Sequence, residues 1–226
     1  MKLRLHSALT MLAAVAAIAA APGAAAQAAG QWTVKGGIGK ITPKVTSGDI
    51  SAPALPGSKA AISADTQPVF AIAYGLTDNI SAELDLGLPY THKISGAGAI
   101  EGVGEVGSLK SLPPTAFIHY RFFEPTAAIR PYAGVGATYA YFTDETGSGK
   151  MTALSDIGGP PTTFKVKSKL AATVQIGVVY NINARWFVDG NISRTFLKTQ
   201  VKFSSGQTQD LTLDPEAVTL AVGYKF

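Results

Sequence analysis

Residues 80–88 read ISAELDLGL and alternate apolar with polar or small side chains without interruption. Because successive side chains point to opposite faces of a β-strand, Ile80 and Leu84 share one face, whereas Glu83 and Asp85 share the other. Residues 170–180 and 218–226 repeat the pattern. The alternation predicts strands with one apolar face and one polar face.

Eight such segments follow one another along the chain, and most reach the 9 to 11 residues that a tilted strand needs to cross a bilayer. They span residues 31–43, 65–76, 79–90, 112–122, 129–143, 165–180, 185–201 and 211–226. In lipid, only a closed barrel satisfies the hydrogen bonds of every strand. The sequence therefore predicts an all-β fold, an eight-stranded antiparallel transmembrane β-barrel; a water-soluble periplasmic β-protein is the alternative.

The connections alternate between short and long. The short turns lie at 77–79, 124–126 and 181–183, and the long connections at 44–64, 91–111, 144–164 and 202–210. The long ones are rich in Gly, Pro, Ser and Thr, as flexible loops are. Since outer-membrane barrels have short periplasmic turns and long extracellular loops, the pattern places both chain ends in the periplasm.

The N-terminus has the composition of an export signal. Lys2 and Arg4 precede the apolar residues 8–21, and small residues follow. A transmembrane anchor is the alternative, but the apolar run falls short of the roughly 20 residues that a spanning helix needs. We expect residues 1–28 to be a cleaved signal peptide and residues 29–226 to form the barrel.

Composition excludes several classes of function. The chain has no cysteine, which excludes disulfides and thiolate metal sites. The formal charge is only +4, and no stripe of basic residues interleaved with aromatics indicates nucleic-acid binding. No partner of that class is expected.

Outward-facing aromatic residues cluster at two heights of the predicted barrel. Tyr74, Tyr120, Phe122, Tyr180, Trp186, Tyr224 and Phe226 fall near the periplasmic strand ends, and Tyr139 and Tyr141 near the outer rim. Aromatic rings favour the membrane interface, so we expect these nine residues to form two girdles in contact with outer-membrane lipid. For any one of them, ordinary packing is the alternative.

Four inward residues of the third and fourth strands could form a charge cluster. A register in which paired residue numbers sum to 204 sets Glu83 opposite Arg121 and Asp85 opposite His119, close enough for salt bridges. The cluster would plug the bottom of the narrow lumen. A structural polar core without a transport role is the alternative.

The outer half of the lumen is predicted to be mildly apolar. Thr138, Ala140 and Phe142 alternate inward on the fifth strand, and Gly134 and Gly136 either leave lumen space or allow curvature there. Candidate contributions from the loops are Leu55, Ile100, Val103, Leu154 and Phe164, with packing among loop residues as the alternative.

Several motifs in order resemble the OmpW family of small outer-membrane barrels. They are QWTVKGGIG at 31–39 with Pro43, YGLTDNI at 74–80, LPYTHKI at 88–94, LPPT at 112–115 with YRF at 120–122, RPYAGVG at 130–136, RWFVD at 185–189, and LDP at 213–215 with GYKF at 223–226. The resemblance implies a conduit that passes small hydrophobic molecules passively across the outer membrane, with lateral exit into the bilayer. The alternative is a structural or interaction barrel with a sealed lumen and partner-binding outer loops.

The terminal Phe226 follows outward Leu220, Val222 and Tyr224. This ending looks like the signal that barrel-assembly machinery reads, and the alternative is simply the end of a strand.

Catalysis is not indicated. Only His92 and His119 remain after signal removal, and neither stands beside a recognisable nucleophile and acid. Two histidines are also too few for a dedicated transition-metal site, so none is expected. We expect no enzyme activity and no cofactor.

Overall fold

Eight antiparallel strands close into a barrel in the computed structural model, which describes residues 28–52, 54–155 and 158–226. The barrel strands are β1 (Trp32–Thr42), β4 (Asp65–Gly75), β5 (Ile80–Gly87), β8 (Thr115–Arg121), β9 (Ile129–Gly147), β11 (Lys169–Asn181), β12 (Trp186–Phe196) and β15 (Glu216–Lys225). Each pairs with the next in chain order, and β15 pairs with β1. The predicted architecture is confirmed, while the predicted signal peptide lies almost wholly outside the described residues.

Side-chain burial follows the predicted alternation. On β5, Leu84 and Leu86 are exposed on the outside of the barrel, whereas Glu83 is buried inside. Leu170 and Ile176 are likewise exposed on β11. The apolar face therefore surrounds the barrel, where lipid replaces a protein core.

The long connections contain ordered structure that their composition did not indicate. One extension of the barrel consists of β3 (Ser58–Ile62), β6 (Tyr90–Gly98) and β7 (Glu105–Leu112), and the other of β2 (Thr46–Ser47), β10 (Phe164–Val166), β13 (Lys198–Phe203) and β14 (Thr208–Thr212). A short helix, α1 (Gly149–Ser155), follows β9. The description of these connections as flexible loops was wrong for much of their length.

The length of β9 explains the first extension. β9 has 19 residues and outruns β8, which has seven. Its outer half would present unpaired backbone groups, and β7 satisfies them through pairs from Leu112 opposite Tyr141 to Gly107 opposite Gly147. The wall of the barrel thus continues into the extension.

Prolines set several strand boundaries that alternation alone did not locate. Pro113 and Pro114 separate β7 from β8, Pro89 precedes β6, and Pro215 precedes β15. Proline donates no backbone hydrogen bond, so a ladder breaks there.

No helix among the described residues is long and apolar enough to span a membrane.

Candidate functional site

A cavity of about 160 Å³ occupies the outer half of the barrel and the space enclosed by both extensions. Apolar side chains dominate its upper wall. They include Ile94, Leu109, Phe142, Phe164, Val201 and Leu211. These belong to a buried apolar cluster that also contains Met151 of α1. The cavity is therefore built from strands of the extensions as much as from the barrel.

The predicted lining residues divide into two groups. Thr138, Ala140 and Phe142 line the cavity, as does Phe164 from β10. Leu55, Ile100, Val103 and Leu154 do not contact it, and Val103 and Leu154 instead pack against the apolar cluster. Sequence reasoning missed the contributions of β6 and β7 because it treated residues 91–111 as a loop, and it missed those of β13 and β14 because it assigned their residues partly to the long barrel strands 185–201 and 211–226 and partly to the loop 202–210.

A row of threonines crosses the barrel beneath the apolar wall. The hydroxyls of Thr115 and Thr138 lie 2.8 Å apart, those of Thr138 and Thr173 2.5 Å apart, and those of Thr173 and Thr195 2.9 Å apart. All four line the cavity. They mark its transition from an apolar wall to a polar floor.

Lys35 holds the charge cluster together. Its Nζ lies 2.9 Å from Glu83 Oε1 and 3.3 Å from Asp189 Oδ1, and all three side chains are buried. Tyr132 and Asn191 donate hydrogen bonds of 3.2 Å and 2.7 Å to the same Asp189 oxygen. One buried cation thus lies between two carboxylates, and neutral groups also bond the Asp189 oxygen that faces it.

The structure contradicts the predicted register between the third and fourth strands. Paired residue numbers on β5 and β8 sum to 200, so Glu83 lies opposite Phe117 and Asp85 opposite Thr115. His119 still approaches Glu83, with Nδ1 4.0 Å from Oε1. Arg121 forms no salt bridge to a described carboxylate, and its role belongs to Lys35.

Asp85 takes a different place from the one predicted. It lines the floor of the cavity beside Lys35, and its Oδ1 accepts no hydrogen bond from a described residue. His119 instead donates from Nε2 to Gln175 Oε1 at 2.7 Å, and Gln175 bonds Asn191 at 3.2 Å. Because Asn191 also bonds Asp189, Glu83 and His119 belong to one network around Lys35, and no hydrogen bond or salt bridge among the described residues links the Arg121 side chain to it.

Buried cations lie below this network at the periplasmic end. Arg121, Arg130 and Lys225 are all buried. Arg130 donates to the carbonyls of Asp78, Phe122 and Phe123, and Lys225 Nζ donates to Asn181 Oδ1 at 2.7 Å. The alternation of side chains along their strands places Lys35, Arg130 and Lys225 inside the barrel. The predicted charge cluster omitted them because it considered only the third and fourth strands.

Inward rings close the space beside these charges by lying over glycines on the neighbouring strand. His119 faces Gly134 and Phe117 faces Gly136. Likewise, Tyr132 faces Gly177 and Phe187 faces Gly223. A Cβ at any of the four glycines would overlap the facing ring. These glycines therefore admit aromatic rings; Gly134 and Gly136 do not leave open lumen space.

His92, which falls in the connection 91–111 that was predicted to be a loop, is buried in β6 and lines the cavity. Its Nδ1 is 2.7 Å from the Ser63 carbonyl and its Nε2 is 3.0 Å from Ser111 Oγ. Burial lowers the pKa of His92, against the opposing effects of the Ser63 bond and the Asp65 charge. Burial likewise raises the pKa of Tyr90 to about 12. Both rings are uncharged at neutral pH.

The predicted aromatic residues lie on the outside of the barrel at two heights. Several of them pair at the periplasmic end, where the ring centres of Tyr120 and Phe122 are 5.2 Å apart and those of Trp186 and Tyr224 are 5.0 Å apart. Trp32, which was not predicted, joins Tyr74 at 4.9 Å. Tyr139 and Tyr141 stack 6.3 Å apart at the other end. Tyr180 and Phe226 also belong to the periplasmic group.

Comparison with known proteins supports this architecture. Outer membrane protein W of Vibrio cholerae serotype O1 is 32% identical over 221 residues, covering 95% of this chain and 97% of that protein. The dibenzothiophene metabolism operon protein PahQ of Pseudomonas aeruginosa is 24% identical over 175 residues, covering 76% of this chain and 77% of that protein. The crystal structure of OprG from Pseudomonas aeruginosa superposes with a TM-score of 0.78 at 25% identity, covering 88% of this chain and 97% of that one.

The model of the OmpW family matches residues 28–226, which include all fifteen strands of the described part of the chain. Relatives of this chain are named outer membrane proteins, so the chain is located in the outer membrane. By sequence and by fold, the chain belongs to the OmpW family of outer-membrane β-barrels.

Proposed function

We propose that the protein is a passive conduit through which small hydrophobic molecules enter the outer cavity and leave sideways into the bilayer. The observation that carries this proposal is an apolar cavity standing on a charged floor. An apolar cavity of roughly 150 Å³ in a protein interior stays dry and binds benzene, so a cavity of this size suits a small hydrocarbon. The relative from a dibenzothiophene metabolism operon is consistent with a hydrophobic aromatic passenger.

The floor supports a lateral exit rather than a straight path. A hydrophobic molecule that moved on toward the periplasm would have to displace the contacts among Lys35, Glu83 and Asp189. Removing a partner from a buried ion pair costs about 3–5 kcal/mol, which a small apolar ligand does not repay. We propose that Glu83, Asp85, His119 and Arg121, together with Lys35, plug the lumen.

A cleft between β2 and β3 supplies the proposed exit. Pro43, Ala60 and Ile62 line both this cleft and the cavity. The two strands are edges of separate sheets, and no strand ladder between them occurs in the described part of the chain. Isolated hydrogen bonds link the two segments instead. The Ala60 amide donates to Ser47 Oγ at 3.0 Å, Lys59 Nζ donates to the Ser47 carbonyl at 3.3 Å, and the Ile50 amide donates to the Ser58 carbonyl at 3.2 Å.

Uptake by whole cells tests the conduit. Cells that lack the protein and cells that carry it are given a labelled aromatic hydrocarbon and a labelled hydrophilic sugar. We expect complementation to raise hydrocarbon uptake alone. The A140W variant should abolish the gain because Ala140 lines the cavity, whereas A137W on the lipid side of the same strand should not. Equal uptake with and without the protein would refute the conduit.

A reversible crosslink tests the exit. Since the chain has no native cysteine, S47C and A60C introduce one pair across the cleft. We expect the oxidised double variant to lose hydrocarbon uptake and to regain it on reduction, while either single variant is unaffected. Full uptake in the crosslinked state would eliminate this exit.

The second candidate is a structural or interaction barrel whose outer surface binds partners. This candidate is favoured by the filled periplasmic half of the lumen, where aromatic rings pack against glycines, and by the row of threonine hydroxyls that are hydrogen-bonded to one another above it. Unchanged uptake of several hydrophobic compounds would select this alternative.

Two proposals concern export and assembly. We propose that residues 1–28 are removed on export and that Phe226 is read by the barrel-assembly machinery. The Phe226 amide donates to the Trp32 carbonyl at 2.9 Å, so the terminal residue lies at the seam of the barrel. Deleting Phe226 should lower the amount of assembled protein, whereas F226Y should preserve it.

A further inference from the structure

Four exposed lysines lie together on the outer surface of the second extension and the adjacent end of the barrel. They are Lys165, Lys167, Lys198 and Lys202, here called the lysine face, and the exposed Lys169 begins β11 beside them. Lys165 lies directly opposite Lys202 on β10 and β13, and the Lys167 amide donates to the Gln200 carbonyl. Residues opposite each other across an antiparallel pair stand about 5 Å apart, and same-face neighbours along a strand about 7 Å apart.

This concentration of charge is not balanced within the protein. Glu145 bonds Lys165, and Asp210 on the next strand accepts from Gln200. The ammonium groups of Lys167, Lys169, Lys198 and Lys202 have no ion pair or hydrogen bond to any described residue. Like charges on neighbouring strands repel, so the arrangement lowers stability unless an anion bridges them.

Four other outer lysines form ion pairs. Lys44 pairs with Glu216, Lys59 with Asp49, Lys93 with Glu105, and Lys110 with Asp144. Repulsion is therefore not a general property of the outer surface. It is concentrated on one face.

The height of the lysine face identifies its surroundings. Leu170, which is 70% exposed toward lipid, follows Lys169, and Phe196 precedes Lys198 by two residues. Tyr139 of the outer aromatic group lies opposite Leu170. The lysines thus begin where the lipid-facing apolar residues end, which is the depth of lipid headgroups.

We propose that the lysine face binds the phosphate groups of a phosphorylated glycolipid in the outer leaflet. Ammonium groups at this spacing match a headgroup that carries more than one phosphate, and each basic residue near an anionic membrane surface strengthens binding roughly fivefold. The site fixes the outer edge of the barrel to its lipid neighbours. It does not depend on the conduit function.

The test measures binding of lipid A with two phosphates to the full-length mature protein in detergent, by native mass-spectrometric titration. The test variant is K167Q/K198Q/K202Q, and the control is K59Q/K93Q/K110Q, which removes the same charge from paired lysines. We expect the test variant to bind lipid A roughly 10- to 100-fold more weakly and the control within about threefold of the unaltered protein. Circular dichroism verifies that both variants keep the β-barrel.

Three results would overturn the proposal: equal losses in both variants, equal binding of lipid A stripped of its phosphates, or displacement of lipid A by an equal concentration of inorganic phosphate. The last result would identify a site for small anions instead of a lipid site. Hydrocarbon uptake by the test variant separates the two proposals, because it should remain normal even where lipid A binding is lost.

Discussion

At the scale of single residues, Lys35 has the largest predicted effect on stability. Replacing it with Met leaves the buried carboxylates of Glu83 and Asp189 without their cation. Loss of one partner from such a cluster costs about 3–5 kcal/mol. We expect a lower unfolding midpoint in urea at neutral pH.

The matched control for this substitution is K40M on the same strand. Lys40 is exposed on the outside of β1. Its substitution should change the unfolding midpoint much less. Equal midpoints for K35M and the unaltered protein would show that the ion pairs do not stabilise the barrel.

His92 predicts a pH dependence of the first extension. Because burial lowers its pKa from the ordinary 6.5, the protonated form is favoured when this segment opens. Stability contributed by neutral His92 is complete above pH 6.5 and declines as the pH falls toward the folded-state pKa. We expect faster amide exchange in β6 at pH 5.5 than the intrinsic rate change explains. Asp65, Ser63, Ser111 and Tyr90 are the groups that face or approach the ring.

The H92Q variant tests that assignment because it does not titrate. Its β6 amides should lose the extra acceleration, while K93Q at the neighbouring outward position should keep it. Persistence of the acceleration in H92Q would assign the effect to another group, such as Asp65.

At the scale of elements, the pairing of rings with glycines joins β8 to β9. A Cβ at Gly134 would overlap the His119 ring. Overpacking of this kind costs about 1–3 kcal/mol, so G134A should lower the unfolding midpoint. Gly190 has open space at its Cβ position, and G190A should stay within about 0.5 kcal/mol of the unaltered protein. Identical midpoints for the two variants would contradict the role assigned to the ring.

The same elements show why strands could be predicted but register could not. Alternation in residues 80–88 depends only on the side-chain period, which the sequence displays directly. Register depends on the relative shift of two strands. The predicted register, with paired residue numbers that sum to 204, and the observed one, with a sum of 200, differ by an even number, so both keep Glu83 and His119 inside. Glycine opposite a ring is a signal that could have selected the register of β8 with β9, since Phe117 and His119 meet Gly136 and Gly134. The paired residues of β5 and β8 include no such glycine.

The extensions were missed for a related reason. β7 exists because the outer half of β9 needs a partner, and that requirement becomes visible only when the lengths of β8 and β9 are known. Gly96 and Gly107 belong to the connection 91–111, whose glycine content is typical of a flexible loop, yet they lie in strands β6 and β7. The lining of the cavity by Leu109 and Ile94 could not be predicted without that pairing.

At the scale of the whole molecule, the plug predicts ion conductance. Arg121, Arg130 and Lys225 fill the periplasmic end of the lumen below the Lys35 cluster. We expect the unaltered barrel to conduct weakly in planar bilayers and R121A to conduct more, because the substitution removes a large side chain from this layer. R185A, at an exposed turn where the guanidinium bonds Tyr224, is the control. No gain in conductance for R121A would remove Arg121 from the plug.

The pairing of β1 with β15 also sets the order of folding. Thr33 lies opposite Lys225, so the seam joins residues from opposite ends of the chain. Contacts of such long sequence separation form slowly, since most of the chain must be ordered before they can form. Until then β1 and β15 each present an unpaired edge to other chains. Protection of these two edges by a chaperone is therefore most important late in biogenesis, when seven of the eight strand pairs of the barrel can already exist.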